Sequence, residues 1–189
     1  MRISGGRARG IPLLAPKGDA VRPATDSLRQ AVFSSLGAVV AGAHFLDLFA
    51  GSGAYGLEAL SRGASGGMFV EKDPRALACL RRNLAAVCKS LGRDEQGLRV
   101  RPGDATAGHL GEGELPDLIF VDPPYELIEG LAAPLFERLG AGLRSKPDAL
   151  VVFELPGGTE LAPAGWTLVK RLGGKGARAP NAAFFRQTP

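Results

Sequence analysis

Apolar positions recur along the 189-residue chain with two alternating periods. Short runs of strand length and composition fall at 44–49, 67–71, 98–101, 117–121 and 149–154. Between them lie stretches of helical spacing. Residues 27–40 carry Leu28, Ala31, Val32, Ser35, Leu36 and Val39 on one face, with Thr25-Asp26 as the expected cap. Pro74 opens a second long helix to about residue 90, in the first-turn position that proline favours. A shorter helix ends near residue 62, another spans 127–139, and 92–97 is a polar loop. The last segment predicts a hairpin, 166–170 with 182–186, around a loop at 173–181. Strands alternating with helices imply a parallel, doubly wound sheet of α/β class. The first 24 residues, rich in Gly, Pro and Arg, predict a short hairpin or extended arm.

Composition narrows this little. Hydrophobic residues make up 45%, and no apolar run approaches the ~20 residues of a membrane span. The opening Met1-Arg-Ile-Ser-Gly-Gly-Arg has no stretch of signal-peptide type, so the expectation is a soluble, cytoplasmic protein. Cys79 and Cys88 sit nine residues apart in one predicted helix, on opposite faces and too far apart to bridge. Two histidines and no Cys/His cluster predict no metal site.

Charge changes the picture more. The net +4 is unevenly laid out. Residues 1–36 hold six Lys/Arg against two acids, and residues 166–189 hold five against none, while the middle carries a net −5. Basic ends flanking an acidic body fit a polyanion such as nucleic acid. In the N-terminal part, Arg2, Arg7, Arg9, Lys17 and Arg22 are too closely spaced to be buried together, and Arg29 lies one turn beyond the cap.

Candidate chemistry gathers at strand ends. Gly51-x-Gly53-x-x-Gly56 follows the first strand, and Glu71 ends the second, twenty residues after Gly51. That is the spacing of a dinucleotide fingerprint, with glycines for the turn and an acid for ribose hydroxyls. Asp47, inside the first strand, alters the ligand. A carboxylate there would repel a pyrophosphate and attract the charged amino acid part of S-adenosylmethionine. Asp104, ending the third strand, is placed for an exocyclic adenine amine. The rival, an NAD-dependent oxidoreductase, has no hydride-transfer constellation to support it.

The fourth strand runs into Asp122-Pro123-Pro124-Tyr125. Two prolines force an extended, rigid exit, holding carbonyls, a carboxylate and a ring at the sheet edge where ligands bind. Asp122 and the Pro123 carbonyl would accept the two hydrogens of an amine on a nucleobase, and Tyr125 would stack on the extruded ring. No cysteine is placed for attack on a pyrimidine carbon.

Asp-Pro-Pro-Tyr resembles the motif of the amino-group methyltransferases, (Asn/Asp)-Pro-Pro-(Tyr/Phe). The block 2–10, the segment Arg22-Pro-Ala-Thr-Asp26-Ser-Leu-Arg29 and the stretch 47–64 narrow the resemblance to RsmD-type methyltransferases. It covers roughly residues 2–185. It implies a Rossmann-like class I S-adenosylmethionine-dependent methyltransferase fold: a mostly parallel seven-stranded sheet with an antiparallel C-terminal strand. It also implies an RNA-facing arm at 1–24, a methyltransferase domain at 25–189, and methylation of guanine N2 in 16S ribosomal RNA, naked or within a small subunit; the lack of a long exposed apolar stripe separately predicts a monomer. Cofactor contacts would come from Asp47, Phe49, Ala50, Gly51, Ser52, Gly53, Glu71, Lys72, Asp104, Ala105 and Asp122. Asp122, Pro123, Pro124 and Tyr125 would be catalytic. RNA would meet Arg2, Arg7, Arg9, Arg22, Thr25, Asp26 and Arg29. Ala24, Gln30 and the length of 88–97 depart from the usual pattern. Without the N-terminal block, adenine N6, cytosine N4, a small-molecule acceptor and a non-catalytic RNA-binding assembly factor all remain open.

Overall fold

The computed structural model describes residues 1–16, 23–107 and 114–188, with the side chains of residues 23–25 left out. Its strands are β1 (His44–Leu48), β2 (Gly66–Glu71), β3 (Leu98–Pro102), β4 (Leu118–Val121), β5 (Leu150–Pro156), β6 (Trp166–Gly173) and β7 (Pro180–Gln187). They form one seven-stranded sheet in the order β3-β2-β1-β4-β5-β7-β6. β1 through β5 are parallel, and β7 runs antiparallel to both of its neighbours. The expected architecture is present, including its antiparallel C-terminal strand. The order reverses between β1 and β4, which makes the crevice above those two strands the switch point where ligands bind.

The helices are α1 (Pro23–Leu36), α2 (Ala54–Ser61), α3 (Pro74–Leu91) and α4 (Ile128–Gly142). α1 begins four residues earlier than expected, at Pro23, which suits a first helical turn. Thr25 and Asp26 therefore lie inside that turn instead of capping it. Residues 37–40 form a separate 3-10 turn. α3 has Asp73 as its cap, accepting from Arg75 N–H, and ends at Gly92 in the left-handed region.

Strand side chains alternate between two cores. Phe45, Phe69, Leu118, Phe120 and Val152 face a layer built by α1, α2, α3 and the N-terminal residues. Leu46, Leu48, Val70, Ile119, Val121, Val151 and Phe153 face α4, with Trp166 sealing the lower end. The period-two pattern thus assigns each strand residue to a face.

Residues 1–16 are not an independent arm. Ile3, Ala8 and Leu13 are buried in the core shared with α1 to α3. An Arg2–Pro12 bridge and the Met1–Leu13 backbone bond hold a tight hairpin. Ser61 clamps its tip: Arg7 N–H donates to Ser61 O (2.7 Å), and Ala8 N–H donates to Ser61 Oγ (2.9 Å). A Cβ on Gly6, whose φ is +78°, would lie 2.0 Å from Ser61 O. No described helix is long and apolar enough to cross a membrane.

Candidate active site

The turn after β1 is shaped by backbone conformations that few side chains adopt. Phe49 has a φ of 60°, the only described non-glycine residue in that region, and Gly51 and Gly53 have φ of 54° and 85°. Gly56 serves packing: a Cβ there would sit 2.4 Å from the Phe69 ring, so α2 lies close on the sheet. Asp47 lies beneath the turn, 2% exposed, its Oδ2 accepting from Gly56 N–H at 2.9 Å. Burial pushes its carboxyl well above the usual range, and the nearby Asp122 and Glu71 charges add to that. Asp47, expected from sequence among the cofactor contacts, is enclosed beneath the turn. Asp47 Oδ2 holds the turn from beneath through Gly56 N–H, and the residue does not line the opening.

Glu71 stands at the tip of β2. Its Oε2 accepts from Gly51 N–H (2.7 Å), and its Oε1 accepts from Lys72 N–H (2.8 Å) and Asp73 N–H (2.7 Å). The acid therefore ties the glycine turn to β2. A carboxylate has about four acceptor positions, so capacity remains for a ribose hydroxyl. Asp104 is turned sideways, accepting from Thr106 N–H (2.8 Å) and pairing with Lys72 Nζ (3.2 Å). The Thr106 hydrogen bonds hold its carboxyl below the usual range. Its neighbours Gly103 and Ala105, not Asp104 itself, line the opening.

That opening is a cavity of about 560 Å³ along the carboxyl edge of β3, β2, β1 and β4, within the size of small-molecule sites. Phe49, Gly51, Glu71, Lys72, Ala105, Asp122, Pro123 and Pro124 line it, all expected from sequence. Val70, Gly103 and Leu127 also line it and were not foreseen. Leu127 is signalled only by its place one turn beyond the proline pair. Ala50 and Ser52 are buried in the turn, and Gly53 N–H donates to Ala50 O (2.7 Å); they shape the loop without lining the cavity.

Asp122 opens to the cavity on one side and is otherwise enclosed by protein. Desolvation pushes its carboxyl up to about 6, and the Arg29 guanidinium offsets part of the rise. Pro124 is extended (φ −52°, ψ 131°), as the proline pair predicts, and its carbonyl accepts from Leu127 N–H (2.9 Å). Tyr125, half-buried, starts a short 3-10 turn and packs against the α4-side core.

A buried polar layer behind Asp122 left no local trace in the sequence. Val121 pairs with Phe153, so the next residues, Asp122 and Glu154, stand side by side on the α1 face. Tyr55 Oη donates to Glu154 Oε2 (2.8 Å), and the Tyr55 ring stacks on Phe120 at 5.3 Å. Below, Glu58 is fully enclosed and accepts from Ser4 N–H (2.8 Å), Ser4 Oγ (2.8 Å) and Arg62 Nε (2.8 Å).

The residues expected to meet RNA are scattered by the fold. Arg29 is corrected to an interior cation, 2% exposed: it bonds Arg2 O (2.6 Å) and pairs with Asp26 (3.1 Å) and Glu58 (3.5 Å). Arg7 and Arg9 are exposed but sit at the hairpin tip beside Ser61, with Arg7 Nη2 on Leu91 O (3.3 Å). Ser61 and Leu91 end α2 and α3, helices that descend from the carboxyl edge of the parallel strands. The tip is therefore at the opposite, amino-terminal edge of the sheet. Arg2 is exposed nearer α1, whose N-terminus is at the carboxyl edge of the parallel strands. Arg22 and the Thr25 side chain lie outside the described residues. Among the described residues no cluster of His, Cys, Asp and Glu could hold a metal ion.

The family model for Conserved hypothetical protein 95 matches residues 1–177. The chain is 35% identical over 170 residues to ribosomal RNA small subunit methyltransferase D of Escherichia coli strain K12, covering 89% of this chain and 82% of that one. It is 31% identical to the protein of the same name from Haemophilus influenzae, over 90% and 86% of the two chains. The solved structure of "Putative methyltransferase yhhF" from Escherichia coli superposes with a TM-score of 0.80 at 32% identity, over 100% and 99% of the two chains.

Proposed function

The chain belongs to the Conserved hypothetical protein 95 family, the RsmD-type methyltransferases, and from that membership we propose that it methylates the exocyclic N2 of one guanine in 16S ribosomal RNA, using S-adenosylmethionine. The observation that carries the reading is the meeting of Glu71, the Gly51 turn and Asp122 around one cavity. The first two suit an adenosine, and the third suits an amine.

When bound, S-adenosylmethionine supplies an electrophilic methyl group on a sulfonium. Glu71 would accept from the ribose, the backbone around Gly103 and Ala105 would border the adenine, and Lys72 with Asp104 would form the rim. Asp47 would draw the cationic amino acid end from beneath the turn. The order of the strands then leaves the space over β4 and β5 for the acceptor. A guanine flipped from its stack would place its amine between Asp122 and the Pro123 carbonyl, with Tyr125 against the ring. The lone pair of that amine is delocalised into the base. Two acceptors aligned on its hydrogens favour a pyramidal nitrogen and stabilise the positive charge that develops as the N–C bond forms. Asp122 can do this only when ionised. Arg2 and Asp26, at the α1 side of the site, are the N-terminal residues best placed to meet the RNA.

The test is labelled methyl transfer to small ribosomal subunits lacking native modification, followed by nucleoside analysis. Label in N2-methylguanosine at one site is the expected result. Label on adenine N6 or cytosine N4 would keep the Asp122 chemistry and overturn the base assignment. No transfer to subunits or RNA, despite cofactor binding, would overturn the reading as a whole.

A further inference from the structure

β5 is parallel to β4 and ends at the same edge as Asp122; β6 ends there and β7 begins there. The loop joining β6 to β7, residues 174–179 (Gly-Gly-Lys-Gly-Ala-Arg-Ala from 173), therefore stands at the catalytic edge, on the acceptor side of the sheet. Pro156 pairs with Pro180, two residues beyond the level of Glu154 and Asp122. At ~3.3 Å per residue and ~4.8 Å between strands, the base of this loop at Pro180 is about 12 Å from Asp122.

The loop is held in shape from inside. Gly157 N–H donates to Ala179 O and Gly158 N–H to Ala177 O, both at 2.8 Å, which zips it to the segment following β5. Arg171 fastens the same two segments through Asn181 Oδ1 (3.0 Å), Thr159 O (2.8 Å), Pro156 O (3.1 Å) and Gly157 O (3.0 Å). Asn181 Nδ2 donates to Gly174 O and Ala179 O. A Cβ on Gly157 would lie 2.3 Å from Gly176 O, so the two backbones touch. One cation thus serves the scaffold. The other two, Lys175 and Arg178, are exposed, and neither makes a hydrogen bond or ion pair with a described residue. No acid occurs between residues 161 and 189.

We propose that the β6–β7 loop is a phosphate-binding element, in which Lys175 and Arg178 hold the RNA backbone beside the flipped nucleotide. The proposal rests on the nucleic-acid reading of the site given above. A preorganised glycine-rich loop lets a backbone approach closely, and two unpaired cations on it supply sequence-independent grip. The grip sets register and orientation, while Asp122 and Tyr125 act on the base.

The experiment measures binding of the full chain to unmodified small subunits across a salt series, together with methyl-transfer kinetics and cofactor affinity. For Lys175→Gln/Arg178→Gln, the slope of log K against log salt should fall in magnitude by about 1.4 to 1.8, as two lost phosphate contacts require. KM for subunits should rise about tenfold or more, with cofactor affinity and Tm unchanged. Lys175→Arg/Arg178→Lys should restore the slope, which a role in folding would not explain. Gly157→Val, which displaces the loop without altering charge, should raise KM with Lys175 and Arg178 intact. A wild-type protein that methylates subunits while the double variant keeps slope and KM overturns the loop alone. A wild-type protein without salt-dependent binding to subunits overturns the loop and the functional reading together.

Discussion

Two segments of this chain look alike as strings: the N-terminal stretch around Arg7 and Arg9, and the C-terminal stretch around Lys175 and Arg178. Both are glycine-rich, basic and poor in acids. The fold sends them to opposite edges of the sheet. The first is clamped to Ser61 and the end of α3, where Arg7 already serves the Leu91 carbonyl. The second sits where β5 and β6 end, with Lys175 and Arg178 making no hydrogen bond or ion pair among the described residues. A run of positive charge in a sequence reports affinity for polyanions, but only strand direction reports whether the charge can act beside the catalytic group. The same contrast separates two acids. Glu58 is fully enclosed and saturated by Ser4 and Arg62, and so holds structure. Asp122 is enclosed with one side open, and so can act on a ligand.

The sharpest way to break the second contrast is to remove each acid. Asp122→Ala is expected to lower the methyl-transfer rate by about a thousandfold or more, since loss of one preorganised group at a developing charge costs on that order. Cofactor affinity by calorimetry should stay within a few-fold. Cofactor binding lost in parallel with turnover would mean that Asp122 belongs to the cofactor and not to the amine. Glu58→Ala should do the converse. It strips partners from Ser4 and leaves Arg29 and Arg62 as under-paired charges, a loss of about 3 kcal/mol. For a chain of this size that lowers Tm by roughly 6–12 °C. Turnover measured well below the new Tm should change less than twofold, and a collapse of turnover in a folded variant would place Glu58 in the chemistry.

The pH dependence refines the same point. In the proposed mechanism Asp122, with its carboxyl pushed up to about 6, acts as the carboxylate. Activity should therefore be level above pH ~7 and fall tenfold per unit below about 6, a limb that an ordinary exposed carboxylate would place near 4. Stability carries the opposite sign. An acid whose folded pKa exceeds its unfolded value costs stability above the folded value and nothing below the unfolded one. Asp122→Asn should raise Tm at pH 7.5 and leave it unchanged at pH 4, as read by thermal melts at the two values. A variant equally stable at both would show that the carboxylate is not desolvated.

The features legible in the sequence were those written locally. The parallel strands are buried on both faces, so they stand out as apolar runs, and the turn glycines, Glu71 and Asp-Pro-Pro-Tyr each announce a strand end. Features made by distant pairs were not legible. The Tyr55–Glu154 bond joins residues 99 apart and the Ser4–Glu58 bonds join residues 54 apart. Neither leaves a period or a motif. Arg29 was misplaced for the same reason, because its acid partner Glu58 comes from another helix. Asp104 stands at the strand end the sequence marks, and its pairing with Lys72 and Thr106 N–H was not legible there.

The smallest effect tests the comparison of the two basic segments most directly. Arg7→Gln/Arg9→Gln removes as much charge as the change at Lys175 and Arg178, so an RNA held only by the overall field of the protein would respond equally to both. If proximity to the catalytic edge decides, the N-terminal pair should leave the salt slope unchanged to within about 0.5. The hairpin tip and Asp122 are separated by at least the length of α2, eight residues at ~1.5 Å, which exceeds a Debye length of ~8 Å at physiological ionic strength. A slope that fell as far for Arg7 and Arg9 as for Lys175 and Arg178 would mean that the RNA wraps from one edge of the sheet to the other. Position relative to Asp122 would then cease to distinguish the two segments.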